Sequence, residues 1–433
     1  MGRGGPLLPV KTEYYQSGLG AEALRALANL ARATGQEEWG KTLEKDFEKQ
    51  RSLVNESFWI ADKKRFAFAL DKNDKKVDEA SVLATVPMWF GLPGEADAVA
   101  MIQQLTDFDH QTDWGMRIIS SRSPLFSGGG YHYGSVWPLF TGWASVGEYR
   151  YHQTHPAYAN LRANALLALD GSLGHVTEVL SGDYYQPLST SSPHQIWSAA
   201  MVVSPLLRGM FGLETDWMHH TLTLAPHVPA DWTWFSLENV RVGNDVLLLN
   251  YTKAEEGIAL ETGLALGTEE CTIEFRPSIS LRATVQKAEL NGKPVPFRIE
   301  ANGQDQHVVV RFSVKSGKYF LRIRILHDFG VSVPSSLPLL GGVSRGLRIL
   351  SESWSPSRDQ LTLEVSGAAG EEYCVQAWNL GETQGVDAGS FNQKTKNCAI
   401  RIKIPPSDLE VYPHVKVAIH FSTGAEKGMP EKH

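Results

Sequence analysis

Residues 131–143 read YHYGSVWPLFTGW, and residues 174–213 read GHVTEVLSGDYYQPLSTSSPHQIWSAAMVVSPLLRGMFGL. Both stretches run from loops rich in aromatics and hydroxyls into apolar segments of helical period. The loops hold Tyr131, His132, His194 and a glutamate, Glu178. A site for sugars needs this mixture. Flat rings stack on C–H faces, short polar groups meet hydroxyls, and a carboxylate handles protons.

Working outward, the first half of the chain keeps the helical period. Residues 19–35 (LGAEALRALANLARATG) and 37–59 predict two long helices. The runs 81–92, 94–108, 135–153, 156–173 and 194–212 predict five more, with Pro205 kinking the last. The short turns between them read as helical hairpins.

After Thr215 the period changes to two. Segments such as RVGNDVLLLNYT, HVVVRFSV and KYFLRIRIL predict strands. Asn291-Gly292 is a strong hairpin signal. A Pro/Ser/Gly-rich connector, 331–346, separates these from a second strand-rich block. Two antiparallel β-sandwiches, 215–330 and 347–425, are expected, with a polar tail at 426–433.

Composition limits the function. The formal charge of -7 is mild and dispersed, which argues against nucleic acid as a partner. No run of 18 apolar residues predicts a membrane span, and the first residues lack an apolar signal core. The compartment stays open. Three cysteines make no disulfide framework, although Cys374 and Cys398 share one β-rich region and could pair. There is no CxxC and no HExxH, so no zinc motif is read.

Four motifs then stand in order. They are Asp113-Trp114-Gly115-Met116-Arg117, Tyr131-His132-Tyr133-Gly134-Ser135-Val136-Trp137-Pro138, Gly174-His175-Val176-Thr177-Glu178 followed by Gly182-Asp183, and Gln195-Ile196-Trp197-Ser198. Together they resemble the second half of the helical barrel of glycoside hydrolases of the glycogen-debranching (amylo-α-1,6-glucosidase) type. The mannosyl-oligosaccharide glucosidases share that barrel more distantly. The resemblance implies a multi-domain α + β chain: a partial (α/α)6 toroid of helical hairpins over 1–214, followed by the two sandwiches.

It also implies roles. Glu178 becomes the general base of an inverting hydrolase, activating water on an α-glucoside or related oligosaccharide. Trp114, Tyr131 and Trp137 become stacking residues, whereas Trp89 reads as core. Arg117 would fork onto hydroxyls or pair with Glu178. His132 and Gln195 would reach hydroxyls, and His194 would cap the last helix. Glu13 matches a family glutamate near the sugar. Asp183-Tyr184-Tyr185 would border the pocket and set substrate choice. The glycine run 127–130 lacks a P-loop context and reads as a mobile loop at the rim. Two carboxyls suffice for this chemistry, so no metal or organic cofactor is expected.

The family's general acid is an Asp for which this sequence offers no matching position. Asp113 is the one substitute near the motifs, although a turn or cap role fits it better. Seven or eight predicted helices fall short of the twelve in a full barrel. The expectation is an incomplete catalytic domain that hydrolyses little alone and is completed by a chain supplying the missing helices. The rival readings are an inactive carbohydrate-binding remnant, or a rhamnosidase or sugar phosphorylase on the same barrel. A phosphorylase would need a basic phosphate pocket, and none is read. The segment 224–243 resembles β-domains that follow rhamnosidase barrels.

Overall fold

The computed structural model describes residues 10–267, 270–392 and 398–422. The expected tail at 426–433 lies outside them, as does the start of the chain before residue 10. The chain divides into two compact units: 1–212 with 335–350, and 213–334 with 351–433.

The first unit is helical. Helices α1 (Tyr14–Ala33) and α2 (Glu37–Phe58) form the first hairpin. The apolar run 81–92 becomes a 3-10 turn and then α3 (Thr85–Trp89), because Pro87 restricts its length. Helices α4 (Glu95–Leu105), α5 (Pro138–Arg150), α6 (Thr154–Leu167) and α7 (Ile196–Ser204) follow. At Pro205 the α-helix stops, and Pro205–Met210 continues as a π-helical turn. A proline lacks the N–H that the next α-helical bond requires.

Four of these helices, α1, α3, α5 and α7, pack side by side in that order to make an arc. The approaches are close because glycines lie at the crossings. A Cβ on Gly18 would come within 2.6 Å of Pro87, and one on Gly142 within 2.4 Å of Met201. The core beneath includes Tyr14, Phe58, Phe66, Met88, Met101, Leu105 and Met116. The Tyr14 ring stacks on Phe66 with centroids 4.6 Å apart.

The arc's end helices do not pack on each other to a comparable extent. Helix α1 leaves Leu19, Ala23, Ala26, Leu30 and Ala33 exposed. Their 4-3-4-3 spacing lays one apolar stripe along the helix. Helix α7 does the same with Ile196, Ala200 and Val203, beside a 41% exposed Trp197.

Among the described pairings the strands of the second unit run antiparallel, with Thr221–Leu224 and Cys271–Phe275 parallel. One six-stranded sheet runs in the order Trp234–Val242, Asp245–Ala254, Gly257–Leu266, Lys318–Leu326, Thr284–Leu290, Lys293–Pro294. A second runs Ser278–Ser280, Asp305–Val314, Cys271–Phe275, Thr221–Leu224, Leu213–Asp216. Burial alternates along the strands, and Tyr251 from one sheet meets Phe275 from the other. Asn291 and Gly292 both take positive φ, 51° and 77°, as a tight primed hairpin turn requires. Two four-stranded sheets form the second sandwich, where Cys374 and Cys398 are disulfide-bonded.

The connector departs from its sequence reading. Residues 335–350 belong to the helical unit instead of spanning free between domains. Tyr185 and the 341–342 turn exchange backbone bonds of 2.8 and 2.9 Å, and Leu337 packs beside Trp114.

Glu148 sits fully inside this unit on α5, accepting from Asn160 at 2.9 and 3.1 Å. Burial pushes its carboxyl up to about 8 from the ordinary 4.5. The folded state therefore holds a proton that the unfolded chain releases. The stability this gives is complete below pH 4.5 and is lost as pH rises through about 8. Glu148→Gln is expected to flatten the fall in Tm between pH 5 and 8 and to raise Tm at pH 8.5, read by calorimetry.

Candidate functional site

The four motifs converge in the helical unit through a small ladder of loops. Arg117 bridges Val136, Val136 bridges Leu180, and Leu180 bridges Pro187, each antiparallel. Val136 and Leu180 exchange two backbone bonds of 2.9 and 2.8 Å. Two loops are thereby locked in register. One carries Tyr131 five residues before Val136, and the other carries Glu178 two residues before Leu180.

Their side chains meet. The Tyr131 hydroxyl donates to Glu178 Oε1 at 2.8 Å. The Ser192 N–H donates to Glu178 Oε2 at 3.2 Å, while Glu178 N–H donates to Ser192 O at 2.9 Å. The glutamate is thus aimed by two loops while staying half-buried. Burial, and next the bond to Glu178, push the Tyr131 phenol up to about 12. It stays a proton donor across the working pH range.

A row of rings leads away from Glu178. Tyr131 meets Trp137 edge-on at 4.7 Å, Trp137 meets Phe140 at 5.6 Å, Phe140 meets Trp143 at 5.4 Å, and Trp143 stacks on Tyr15 at 5.9 Å. Trp137, Phe140 and Trp143 recur every three residues, so they share one face of α5. Trp137 is buried behind the row, its indole N–H donating to Tyr131 O at 3.0 Å. Tyr131, Phe140, Trp143 and Tyr15 remain half-exposed. The sequence reading missed Phe140, Trp143 and Tyr15, although the WPLFTGW spacing carried the signal.

At the far end, Glu13 and Tyr15 line a cleft with Phe68, Leu83 and Glu79. Glu79 is a second carboxyl that the motifs did not flag. Burial raises its pKa, and Ser123 Oγ donates to it at 2.8 Å. Glu13 stands immediately before α1.

Other expected contacts turn out differently. Trp114 is fully buried, its indole N–H donating to Ser181 O at 2.9 Å, so no ring face is left for a sugar. Arg117 donates to two carbonyls, Gly182 O at 2.7 Å and Phe108 O at 2.6 Å, and lies over the Phe126 ring. Its fork staples backbone. Gln195 Oε1 accepts from the Ile196 N–H at 3.0 Å and caps α7, while His194 stacks on His175. His132 is exposed and parallel to Trp137. Tyr184 faces solvent, whereas Tyr185 turns inward and bonds Asp170 at 2.5 Å. The glycine run at the rim is pinned, since Gly182 N–H donates to Gly128 O at 2.8 Å, and a Cβ on Gly182 would strike Gly134 O.

Asp113 is an anchor. Its carboxylate accepts from the Arg345 N–H at 2.7 Å and the Gly346 N–H at 3.0 Å, with Arg348 3.7 Å away. Both carboxylate oxygens are committed to these donors, which ties the side chain into the connector. Asp113→Ala is expected to destabilise the helical unit by about 2 kcal/mol, because those donors lose a charged acceptor. Denaturant unfolding followed by Trp fluorescence checks it.

Residues 16–198 match the family model described as the mannosylglycerate hydrolase MGH1-like glycoside hydrolase domain. No curated protein matches the chain. Among solved structures, a sialidase is similar at 15% identity and TM-score 0.51, over 69% of this chain and 26% of that one. An alpha-L-rhamnosidase from Dictyoglumus thermophilum follows at 13% identity and TM-score 0.47, over 70% and 31%. The GH63 mannosylglycerate hydrolase from Thermus thermophilus, solved with glucose, is 15% identical at TM-score 0.36, over 45% and 46%. The chain thus spans about a quarter of the sialidase's length and under half of the hydrolase's. By family model and by its helical and β architecture, the chain is similar to the six-hairpin glycosidases.

Proposed function

We propose that this chain contributes the base side of a glycoside hydrolase site, with Glu178 activating water in an inverting reaction. The observation that supports this most is the Glu178 carboxylate, oriented by Tyr131 and Ser192 at the head of a row of rings. A carboxylate held by one hydroxyl and one N–H keeps further lone pairs for a water molecule. The half-exposed rings of Phe140, Trp143 and Tyr15, 5.4 and 5.9 Å apart in turn, suit successive sugar units, which favours an oligosaccharide, of α-linked glucose or a related sugar, over a monosaccharide.

The base needs a partner acid, roughly 6.5–9.5 Å away in an inverting enzyme. Asp113 is bound into the connector and is left out of that role. The apolar stripes on α1 and α7 support an arc completed by further helices, and the acid would come with them. These helices would be amphipathic hairpins whose apolar stripes match Leu19–Ala33 and Ile196–Val203. On this reading the chain alone binds sugar and turns it over poorly.

The test uses the purified chain with α-gluco-oligosaccharides of two to five units. Calorimetry should show affinity rising with length, and Trp143→Ala should weaken binding about 10-fold. Glu178→Gln should leave affinity within about 3-fold, while proton NMR of the products detects little hydrolysis by either form. Absence of binding at millimolar sugar would remove the glycosidase reading. Efficient turnover by the chain alone would show that an acid is present within it, and would point first to Glu79.

A further inference from the structure

The β unit carries a second constellation, far in sequence from the motifs. His227 follows the strand Thr221–Leu224, while Asp305 and His307 open the strand Asp305–Val314. Alternate residues of a strand share a face, so Asp305 and His307 project together. The strand Ser278–Ser280 lies alongside, with Ser278 opposite His307 and Ser280 opposite Asp305. The Ser278 N–H donates to Pro226 O at 2.9 Å, which brings His227 up to the pair.

Three donor atoms converge there. His227 Nε2 and His307 Nε2 each lie 3.4 Å from the same oxygen, Asp305 Oδ2. The side chains of His227, Asp305 and His307 are 7%, 10% and 4% exposed. A distance of 3.4 Å is long for a hydrogen bond between imidazole and carboxylate. It equals the edge of a tetrahedron whose ligands stand about 2.0–2.1 Å from its centre, roughly 3.3–3.4 Å.

The hydrogen bonds around the rings agree. His307 Nδ1 lies 2.6 Å from Arg276 O. A carbonyl can only accept, so Nδ1 carries a hydrogen and Nε2 is the ring atom turned toward the carboxylate. Histidines that bind metals characteristically donate their other N–H to a carbonyl in this way. Asp305 Oδ2 is oriented in turn by the Ser278 hydroxyl at 2.5 Å.

We propose that His227, Asp305 and His307 hold a first-row divalent cation, zinc foremost. Two imidazoles and one carboxylate are a donor set that zinc takes readily. The ion acts as a staple of the first sandwich, tying the loop after Thr221–Leu224 to the strand Asp305–Val314. It stands apart from the sugar chemistry, which needs only carboxyls.

The test is metal analysis of the untagged full chain, produced in zinc-supplemented medium and passed through gel filtration. The expected result is one zinc per chain, with an absorption-edge shell of nitrogen and oxygen at about 2.0–2.1 Å. Removing the metal with dipicolinate should lower Tm by at least about 3 °C, and stoichiometric zinc should restore it. His227→Ala and His307→Ala should each lose the metal. His420→Ala, which removes the ring bonded to Asp387, should keep it. If the variants fail to fold, the zinc content and absorption edge of the unaltered chain decide alone. A stripped chain that takes up no zinc at tens of micromolar, with an unchanged Tm, overturns the proposal.

Discussion

The paired backbone bonds between Val136 and Leu180 are the constraint on which the candidate site depends. Two residues from separate motifs exchange N–H and C=O at 2.9 and 2.8 Å, and both side chains are fully buried. Every group beside the site is counted from this rung. Glu178 is held two residues to one side, and Trp137 starts α5 one residue to the other. Arg117 closes the ladder from below by giving its guanidinium to the carbonyls of Gly182 and Phe108. A lysine there would present one point charge and could not hold both carbonyls in a fixed plane.

This explains which parts of the site were legible in the sequence. Local period marked the place of all seven helices, because apolar spacing and Gly/Pro stops act within one or two turns, but missed several ends: α1 starts at Tyr14, α3 spans only Thr85–Trp89, α6 ends at Leu167 and α7 at Ser204. The motif order also brought Tyr131, Glu178 and Trp137 to one place. What could not be read was the target of each long polar side chain. Asp113 anchors a segment 232 residues downstream, and no local pattern encodes such a partner. Arg117 and Trp114 have functional chemistry but spend it on carbonyls. Phe140 and Trp143 were overlooked for the opposite reason. Aromatics at helical spacing usually form core, and only their half-exposure reveals the row.

The metal constellation shows the same division. Asp305 and His307 are two residues apart on a strand, a spacing too common to mean anything alone. His227 lies nearly 80 residues earlier. It joins them only because the short strand Ser278–Ser280 holds the intervening loop against Asp305–Val314. A search for CxxC or HExxH cannot find a set assembled by sheet register.

The proposed division of labour at the sugar site follows from two features with one remedy. On the proposed reading Glu178 is a base whose acid arrives with further helices, and the end helices of the arc carry exposed apolar stripes that such helices would cover. Leu30 and Ile196, 59% and 78% exposed, lie on opposite ends of that arc. Water against such stripes costs free energy in proportion to the apolar area left uncovered. Helical hairpins packed on both ends would cover that area. They would also bring new side chains to the rim between α7 and α1, where a proton donor can face Glu178 across a bound sugar. Folding stability and catalysis would then have the same requirement, and the glycines that let α1, α3, α5 and α7 approach so closely would keep the arc curved enough to meet it.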